Sequence, residues 1–215
     1  MYMKQYFSQL LRRKPYVYVA LGDSVTEGIG ATSTHRTFAS VIASYLKSQK
    51  KNLQYHNLGK RGAPTKEILG EQLDAAIALN PDLVTISAGV NDIRVLSTPW
   101  QFKKDLRELI SRLEEETHAE IVINNIPDFT VTPLIPRFSK RIIRFIIRRF
   151  NNVMIDVVTN SRATLVDLFS FTAVFGKQYP EAIAEDKFHP SDFGYAIWAS
   201  AMLHHIDRIL QEKNL

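Results

Sequence analysis

The sequence predicts a doubly wound α/β fold with a five-stranded parallel sheet. Short runs rich in Val, Ile, Tyr and Leu alternate five times with longer stretches of helical length. This alternation is typical of a parallel sheet covered by helices on both faces. The chain has 215 residues, of which 45% are hydrophobic and 23% charged, and this composition suits a packed fold. We predict a single domain over residues 1–215, with residues 1–14 as an N-terminal extension.

Each strand is predicted where β-branched and aromatic residues cluster, and each helix where the stretch between strands is long enough. The predicted strands cover residues 16–21, 54–58, 83–87, 121–125 and 163–166. The predicted helices cover residues 38–48, 65–79, 100–116, 137–159 and 191–211. Proline begins a helix but does not continue one, so the prolines near these helix ends support the boundaries; they are Pro64, Pro81, Pro99 and Pro190.

The composition excludes several classes of function. Cysteine is absent, so the chain has no disulfide, no thiolate metal site and no cysteine nucleophile. The formal net charge of +5 favours anionic partners, which include membrane surfaces, nucleic acids and acidic substrates. Charge alone does not choose among these partners.

The N-terminal segment has a basic cluster ahead of a short apolar run that ends at Leu21. This pattern resembles a signal peptide, but the run is short and has no small-residue cleavage site, so we interpret it as a buried strand. Charges break every other apolar stretch well short of the roughly 20 residues that span a bilayer. We therefore expect a cytoplasmic location.

Polar clusters follow three of the predicted strands. They cover residues 22–24, 57–59 and 89–92, and a fourth cluster at residues 186–190 lies just before the last predicted helix. In open parallel sheets the ligand binds beyond the carboxyl ends of the strands, near the point where the winding reverses. We therefore expect the first three clusters to lie at one edge of the sheet, with the fourth returning to the same edge.

These clusters contain the groups that serine attack on an ester requires. The reaction needs a base for the hydroxyl proton, a carboxylate that orients the base, and donors for the oxyanion. Ser24 supplies the hydroxyl, His189 is the candidate base, and Asp186 lies close enough in sequence to orient His189. The backbone amides of Ser24 and Gly59 and the side-chain amide of Asn91 are the candidate oxyanion donors. Such a site requires no metal and no organic cofactor.

Four sequence blocks resemble those of the GDSL family of esterases and lipases, also called SGNH hydrolases. The blocks are Gly-Asp-Ser-Val with Ser24, Asn-Leu-Gly with Gly59, Gly-Val-Asn-Asp with Asn91, and Asp-Lys-Phe-His-Pro with His189. They occur in the order of the family. The resemblance implies a three-layer flavodoxin-like fold and a triad completed by Asp186. It also implies an oxyanion hole formed by the backbone amides of Ser24 and Gly59 and the side chain of Asn91.

Each of these residues also has a purely structural interpretation. Ser24 followed by Glu27 fits a capping box, although capping does not exclude catalysis, because an amide at a helix start is a suitable oxyanion donor. Asn91 and Asp92 fit a turn, and we expect Asp92 to hold loops rather than react. A histidine before proline also fits a surface turn, but Asp186 at the right spacing favours the catalytic interpretation.

The stretch 137–159 is predicted to form a basic amphipathic helix with an unusually wide apolar side. We expect its C-terminal half to pack as an ordinary layer helix. Its N-terminal half has more apolar residues than one sheet face needs, which leaves a substrate lid, a dimer contact and membrane-surface docking open. We predict that residues 134–147 help to form the acyl pocket or touch an anionic lipid surface, with Phe138, Ile142 and Phe145 as candidate substrate contacts. A peripheral membrane-surface contact would extend over residues 134–150.

The sequence favours an ester hydrolase that acts on a lipid-like acyl ester. Acetylated sugars and acyl thioesters are alternative substrates for the same site. A non-catalytic module that binds an anionic lipid or glycan is disfavoured, because binding alone does not require an oriented base. Nucleic-acid binding is disfavoured because the aromatic residues of the basic helix lie on its apolar side rather than among the arginines.

Overall fold

Five parallel strands form the central sheet, in the order β2-β1-β3-β4-β5. The computed structural model describes residues 14–50 and 52–212, so residues 1–13 of the predicted extension lie outside the described residues. The strands are β1 (Tyr16–Gly22), β2 (Leu53–Asn57), β3 (Leu83–Ser87), β4 (Glu120–Asn124) and β5 (Thr164–Val166). The winding reverses at β1, which has β2 on one side and β3 on the other. Ligands of such sheets bind beyond the carboxyl ends of the strands at this reversal.

Helices cover both faces of the sheet. They are α1 (Ser24–Glu27), α2 (Phe38–Gln49), α3 (Thr65–Glu67), α4 (Leu73–Ala78), α5 (Val90–Arg94), α6 (Pro99–Glu116), α7 (Lys140–Thr159), α8 (Leu168–Gln178) and α9 (Asp192–Glu212). A π-helical segment, Ile68–Gln72, joins α3 to α4. Short 3-10 turns lie at Thr34–Arg36, Phe129–Val131 and Pro180–Ala182. This arrangement is the three-layer, flavodoxin-like α/β fold that the sequence predicts.

Strand β1 separates two hydrophobic cores, because its side chains alternate between the two faces of the sheet. Val17, Val19 and Leu21 pack with residues of α4, α6 and α7 on one face. Tyr18 and Ala20 pack with residues of α2 and α9 on the other face. Burial of one large apolar side chain contributes about 1.5–3 kcal/mol to folding. The carboxyl end of β1 is therefore fixed between two packed layers.

The strand predictions are confirmed to within one residue at each end, and residues 83–87 match β3 at both ends. The helix predictions differ from the structure in several places. The predicted helix 65–79 is interrupted by the π-helical segment. The sequence pattern also does not predict α5 or α8, since α5 has only five residues and α8 follows β5 after a single residue. The single-domain organisation stays a prediction.

Helix α7 confirms the prediction that the C-terminal half of the basic stretch packs as a layer helix. It begins at Lys140 rather than at Arg137. Phe150, Met154 and Val157 are buried in the core on the α6 side of the sheet. No helix in the described part of the chain is long and apolar enough to cross a membrane.

A buried glutamine holds the carboxyl end of β1. Gln72 lies in the π-helical segment and is 4% exposed. Its Oε1 accepts from the Gly22 amide at 2.9 Å, and its Nε2 donates to the Gly22 carbonyl at 2.8 Å. Gly22 has a φ of +149°, and a Cβ there would lie 2.4 Å from the Ser87 carbonyl oxygen, so the position requires glycine. Gln72 thus fixes the backbone directly before residues 23 and 24.

Replacing this glutamine tests its contribution to stability. Gln72→Leu leaves the buried amide of Gly22 without its side-chain partner, whereas the Gly22 carbonyl still accepts from the Lys60 amide at 3.0 Å. Because an unsatisfied buried group costs about 1–3 kcal/mol, we expect the free energy of unfolding, measured by urea titration, to fall by about that amount. Gln49→Leu, at an exposed position of α2, is the matched control and should change it by less than about 0.5 kcal/mol. Equal losses in the two variants would contradict this role.

Candidate active site

Ser24 lies at the first position of α1, directly beyond the carboxyl end of β1. The capping-box interpretation of Ser24 is wrong, because the N-cap of α1 is Asp23. The Asp23 backbone is extended, with φ −102° and ψ −151°, and its Oδ1 accepts from the Val25 amide at 3.0 Å. The Ser24 hydroxyl is therefore not used as the cap. The Ser24 amide lies in the first turn, where a helix offers no internal partner for N–H groups.

The Ser24 hydroxyl meets His189, which lies 165 residues away in sequence. Ser24 Oγ is 2.9 Å from His189 Nε2, and His189 Nδ1 is 2.5 Å from Asp186 Oδ2. The other carboxylate oxygen of Asp186 accepts from the amides of Phe188 and His189, each at 2.9 Å. The structure therefore brings Ser24, His189 and Asp186 into one continuous hydrogen-bonded chain.

The Asp186 carboxylate sets the protonation pattern of the His189 ring. Burial raises the pKa of Asp186, but hydrogen bonds from the His189 ring and from the amides of Phe188 and His189 outweigh burial, so the pKa lies below its usual value. An ionised carboxylate only accepts hydrogen bonds, so Nδ1 donates to it. In a neutral imidazole Nε2 is then the acceptor for the serine hydroxyl. This pattern is the one in which a histidine removes a proton from serine.

Asn91 lies in the first turn of α5, beyond the carboxyl end of β3. Its Nδ2 donates to Asp23 Oδ2 at 3.1 Å, and its Oδ1 accepts from Arg94 Nε at 3.0 Å. These two bonds fix the orientation of the amide. Nδ2 carries a second hydrogen besides the one that points at Asp23. Because Asn91 and Ser24 line the same cavity, the structure brings a side-chain donor beside the serine.

Asp92, the next residue, has the loop-holding role that the sequence predicts. Its buried Oδ2 accepts from both the amide and the hydroxyl of Thr65, each at 2.9 Å. Burial raises the pKa of Asp92, and the two bonds from Thr65 oppose that rise. These bonds join the start of α3 to α5.

Gly59 packs against the helix that carries Ser24. A Cβ at this position would lie 2.5 Å from the Glu27 amide nitrogen, so only glycine permits the contact. The Gly59 amide donates to Asn57 Oδ1 at 3.0 Å, and Asn57 Nδ2 donates to the Thr26 carbonyl at 2.7 Å. Among the described residues, Gly59 is not one that lines the cavity beside the serine. The structure gives Gly59 a packing role, and its role as an oxyanion donor stays a prediction.

The buried carboxyl group of Asp23 joins the nucleophile helix to Asn91. Its Oδ1 caps α1 and its Oδ2 accepts from Asn91. Burial raises the pKa of Asp23 to about 6, although the Val25 amide, the charge of His189 and the Asn91 amide oppose the rise. Within the described residues, no group of three or more His, Asp or Glu side chains is arranged to hold a metal ion. The Asp23 carboxylate accepts from the Val25 amide and the Asn91 side chain, so its observed partners are protein groups.

An apolar cavity of about 110 Å³ opens beside Ser24 and His189. Five aromatic side chains line it, namely Phe129, Phe171, Phe175, Phe188 and Trp198. Two of them come from α8, which the sequence pattern does not predict. The signal for this helix is Asp167, whose side chain caps α8 by accepting from the Ser170 amide, followed by an apolar, aromatic run.

The predicted substrate contacts Phe138, Ile142 and Phe145 do not reach this cavity. They are 89%, 62% and 60% exposed, and none of them is among the residues that line it. The reason for Ile142 and Phe145 is the rotation of α7, which turns Ile147 and Phe150 into the core and leaves these two side chains towards solvent. Phe138 lies in the turn before α7 and is exposed there. The acyl-pocket interpretation of residues 134–147 is therefore corrected, and the apolar walls of the cavity come mainly from α8, α9 and the turn at residues 127–132.

The fold and the site together define the class of protein. A flavodoxin-like sheet that holds a serine, a histidine and a carboxylate in one hydrogen-bonded chain, beside an apolar cavity, has the groups expected of an acyl-group hydrolase. The chain belongs to the GDSL-like lipase/acylhydrolase family, which matches residues 20–197. This span contains all four sequence blocks. Family membership supports a carboxylic ester hydrolase.

Similar proteins include esterases of two kinds. An acetylxylan esterase from Geobacillus stearothermophilus is 25% identical over an alignment 207 positions long, and the alignment covers 86% of this chain and 91% of that protein. The crystal structure of a lipase/acylhydrolase from Enterococcus faecalis has a TM-score of 0.70 at 21% identity and covers 89% of this chain and 95% of that one. A variant of Axe2, an acetyl xylan esterase from Geobacillus stearothermophilus, has a TM-score of 0.72 at 21% identity, with coverages of 89% and 94%. These structures confirm the SGNH hydrolase fold.

The raised pKa of Asp23 predicts a pH-dependent cost to stability. The folded pKa of about 6 lies above the unfolded value of about 3.9. Proton binding by Asp23 therefore stabilises the folded state below about pH 4, and this contribution is lost as the pH rises through 6. Asp23→Asn removes the titration. The unfolding free energy of the variant, minus that of the parent, should rise by about 2–3 kcal/mol between pH 4 and pH 8 in urea titrations. A difference that stays constant over this interval would contradict the assignment.

Proposed function

We propose that the chain is a serine ester hydrolase that forms an acyl-enzyme on Ser24, with His189 as general base and Asp186 as the carboxylate that orients it. The supporting observation is the continuous hydrogen-bonded chain from Ser24 Oγ, through both ring nitrogens of His189, to Asp186. A binding module would need no such oriented base. Family membership supports ester hydrolysis in general. The cytoplasmic location stays a prediction.

In the first half-reaction Ser24 Oγ attacks the ester carbonyl carbon while His189 Nε2 takes the hydroxyl proton. The carbonyl π electrons move to oxygen, and the resulting oxyanion accepts hydrogen bonds from the Ser24 amide and the second Nδ2 hydrogen of Asn91. The Gly59 amide, which donates to Asn57 Oδ1 in the structure, adds a third bond only by leaving that partner. Asp186 stabilises the imidazolium that forms. His189 then gives its proton to the leaving alkoxide, the carbon–oxygen bond breaks, and the acyl group remains on the serine.

In the second half-reaction a water molecule takes the place of the alcohol. His189 removes a proton from the water, and the hydroxide attacks the acyl carbon. The same donors hold the second oxyanion. Collapse of this intermediate returns the proton from His189 to Ser24 Oγ and releases the carboxylic acid. The free hydroxyl and the neutral imidazole are thereby restored, with one ester and one water consumed.

The apolar cavity supports a lipid-like acyl ester as the substrate. Burial of an acyl chain against its aromatic lining contributes about 0.8 kcal/mol per methylene. Its volume of about 110 Å³ is smaller than the roughly 150 Å³ cavity that accommodates benzene. We therefore propose short to medium acyl chains, with longer chains extending out of the cavity.

An acetylated sugar is the second candidate substrate. The observation that favours it is the acetylxylan esterase that is 25% identical to this chain over most of its length. An acetyl group needs none of the aromatic wall formed by Phe171 and Phe175. The acyl-chain preference of the enzyme therefore separates the two candidates.

The triad assignment is tested by hydrolysis of p-nitrophenyl acetate. Ser24→Ala should lower kcat by at least about 10⁴-fold. Asp186→Asn should lower it by roughly 10³- to 10⁴-fold, because the amide no longer fixes the tautomer or stabilises the imidazolium. Glu185→Gln removes a neighbouring exposed carboxylate and should leave kcat unchanged. Retention of full activity by Ser24→Ala would refute the proposal.

The acyl-chain assignment is tested with a series of p-nitrophenyl esters of increasing chain length. We expect kcat/KM to rise by about fourfold per methylene until the chain fills the cavity. Phe175→Ala widens the cavity and should move the optimum to longer chains. Val174→Ala, next to it on α8 but 61% exposed, should keep the parental optimum. A kcat/KM that falls as the acyl chain becomes longer than acetyl, in the parent and in both variants, would favour the sugar acetate instead.

A further inference from the structure

A long segment beside the cavity contains no carboxylate. Residues 129–155 include no Asp or Glu, and they carry six cationic residues, which are Arg137, Lys140, Arg141, Arg144, Arg148 and Arg149. The segment comprises the turn that lines the cavity, the approach to α7 and the first three-quarters of α7. Its charge is therefore of one sign, and this face contributes strongly to the positive net charge of the chain.

The same segment exposes large apolar side chains. Leu134 is 56% exposed, Phe138 89%, Ile142 62% and Phe145 60%. Ile142 and Phe145 lie three residues apart on α7, and Leu134 and Phe138 lie in the turns that precede this helix. We define the docking face as these four residues together with the cations that lie among them, which are Arg137, Lys140, Arg141 and Arg148. Clustered apolar side chains of this size on a surface mark an interaction site.

The cations of the docking face are uncompensated. Arg137, Lys140, Arg141 and Arg148 line one surface groove with Phe145. In the described ranges, none of these four cations forms a salt bridge with a carboxylate. A bilayer presents anionic headgroups at its surface and apolar acyl chains beneath them. A protein surface on which cations alternate with exposed apolar side chains is complementary to both layers.

The docking face adjoins the cavity that holds Ser24. Val131 lines both the cavity and the basic groove. Arg144, which also lines the groove, forms an ion pair with the buried Asp128, and Asp128 lines the cavity. The cavity wall and the docking face are therefore parts of one connected structure. Contact with a surface through this face would place the cavity beside that surface.

We propose that the docking face binds the chain peripherally to an anionic lipid bilayer, with the four apolar side chains inserted among the headgroups and the cations on the lipid phosphates. A second copy of the chain fits this face less well, because a two-fold contact would bring identical clusters of positive charge together. The proposal goes beyond ester hydrolysis, and binding to a bilayer requires no turnover at Ser24.

Vesicle co-sedimentation tests the proposal. The full chain should sediment with vesicles of equimolar phosphatidylcholine and phosphatidylserine, and at least about tenfold more weakly with phosphatidylcholine alone. Each cation near such a surface contributes roughly fivefold to binding. Arg137→Glu with Arg141→Glu should therefore lower the partition constant by more than about tenfold at low salt, where charges are little screened. Phe138→Ser with Ile142→Ser should lower the partition constant at low and at high salt alike, because salt does not screen the burial of apolar side chains.

Two exposed residues elsewhere provide matched controls. Trp100→Ser removes an aromatic side chain that is 71% exposed on α6, and Lys104→Glu reverses an exposed charge on the same helix. Both should bind as the parent does, and so should Ser24→Ala, which makes the result independent of the proposed hydrolysis. Equal binding to the two kinds of vesicle, equal losses in the controls, or self-association through this face without vesicle binding would each overturn the proposal. Thermal unfolding of every variant checks that the fold is retained.

Discussion

The hydrogen bond between Ser24 and His189 is the contact on which the rest of the site depends. Its partners lie 165 residues apart, so it forms only when the first strand and the loop before the last helix reach the same edge of the sheet. Parallel pairing of β1 with β3 ends both strands side by side and brings Asn91 to that edge. The antiparallel bridge between Ile183 and Pro190 returns the loop that carries His189. The sheet topology therefore creates the site.

The cost of this arrangement is concentrated in Asp23. Its carboxyl group is 2% exposed, and burial holds its pKa near 6, so it carries a buried negative charge at neutral pH. An uncharged residue at this position would cost the folded state less free energy on burial. The carboxylate nevertheless caps α1 and holds the Asn91 amide at the same time, which leaves the Ser24 hydroxyl to His189. Such conflicts between stability and placement are typical of functional sites.

The extent to which sequence predicts this molecule depends on how local each feature is. The strands and long helices follow from local hydrophobic patterns, and the polar clusters after strands indicate the edge at which Ser24 and Asn91 meet. Local sequence does not show which residue caps α1, because Asp23 and Ser24 both suit an N-cap. Only tertiary contacts assign each of them its partner. Periodicity likewise shows that residues 134–150 are rich in apolar side chains without showing which of them face the sheet. The aromatic wall on α8 depends on packing between distant elements, so local pattern does not reveal it.

The central claim is that Ser24 is the nucleophile that His189 activates. An alkyl fluorophosphonate, which reacts with activated serine hydroxyls, tests it when the modified protein is mapped by peptide mass spectrometry. The account predicts one adduct per chain on the peptide that contains Ser24, no adduct there in Ser24→Ala, and much slower labelling in His189→Ala. Labelling of a different serine, or an unchanged labelling rate in His189→Ala, would contradict it.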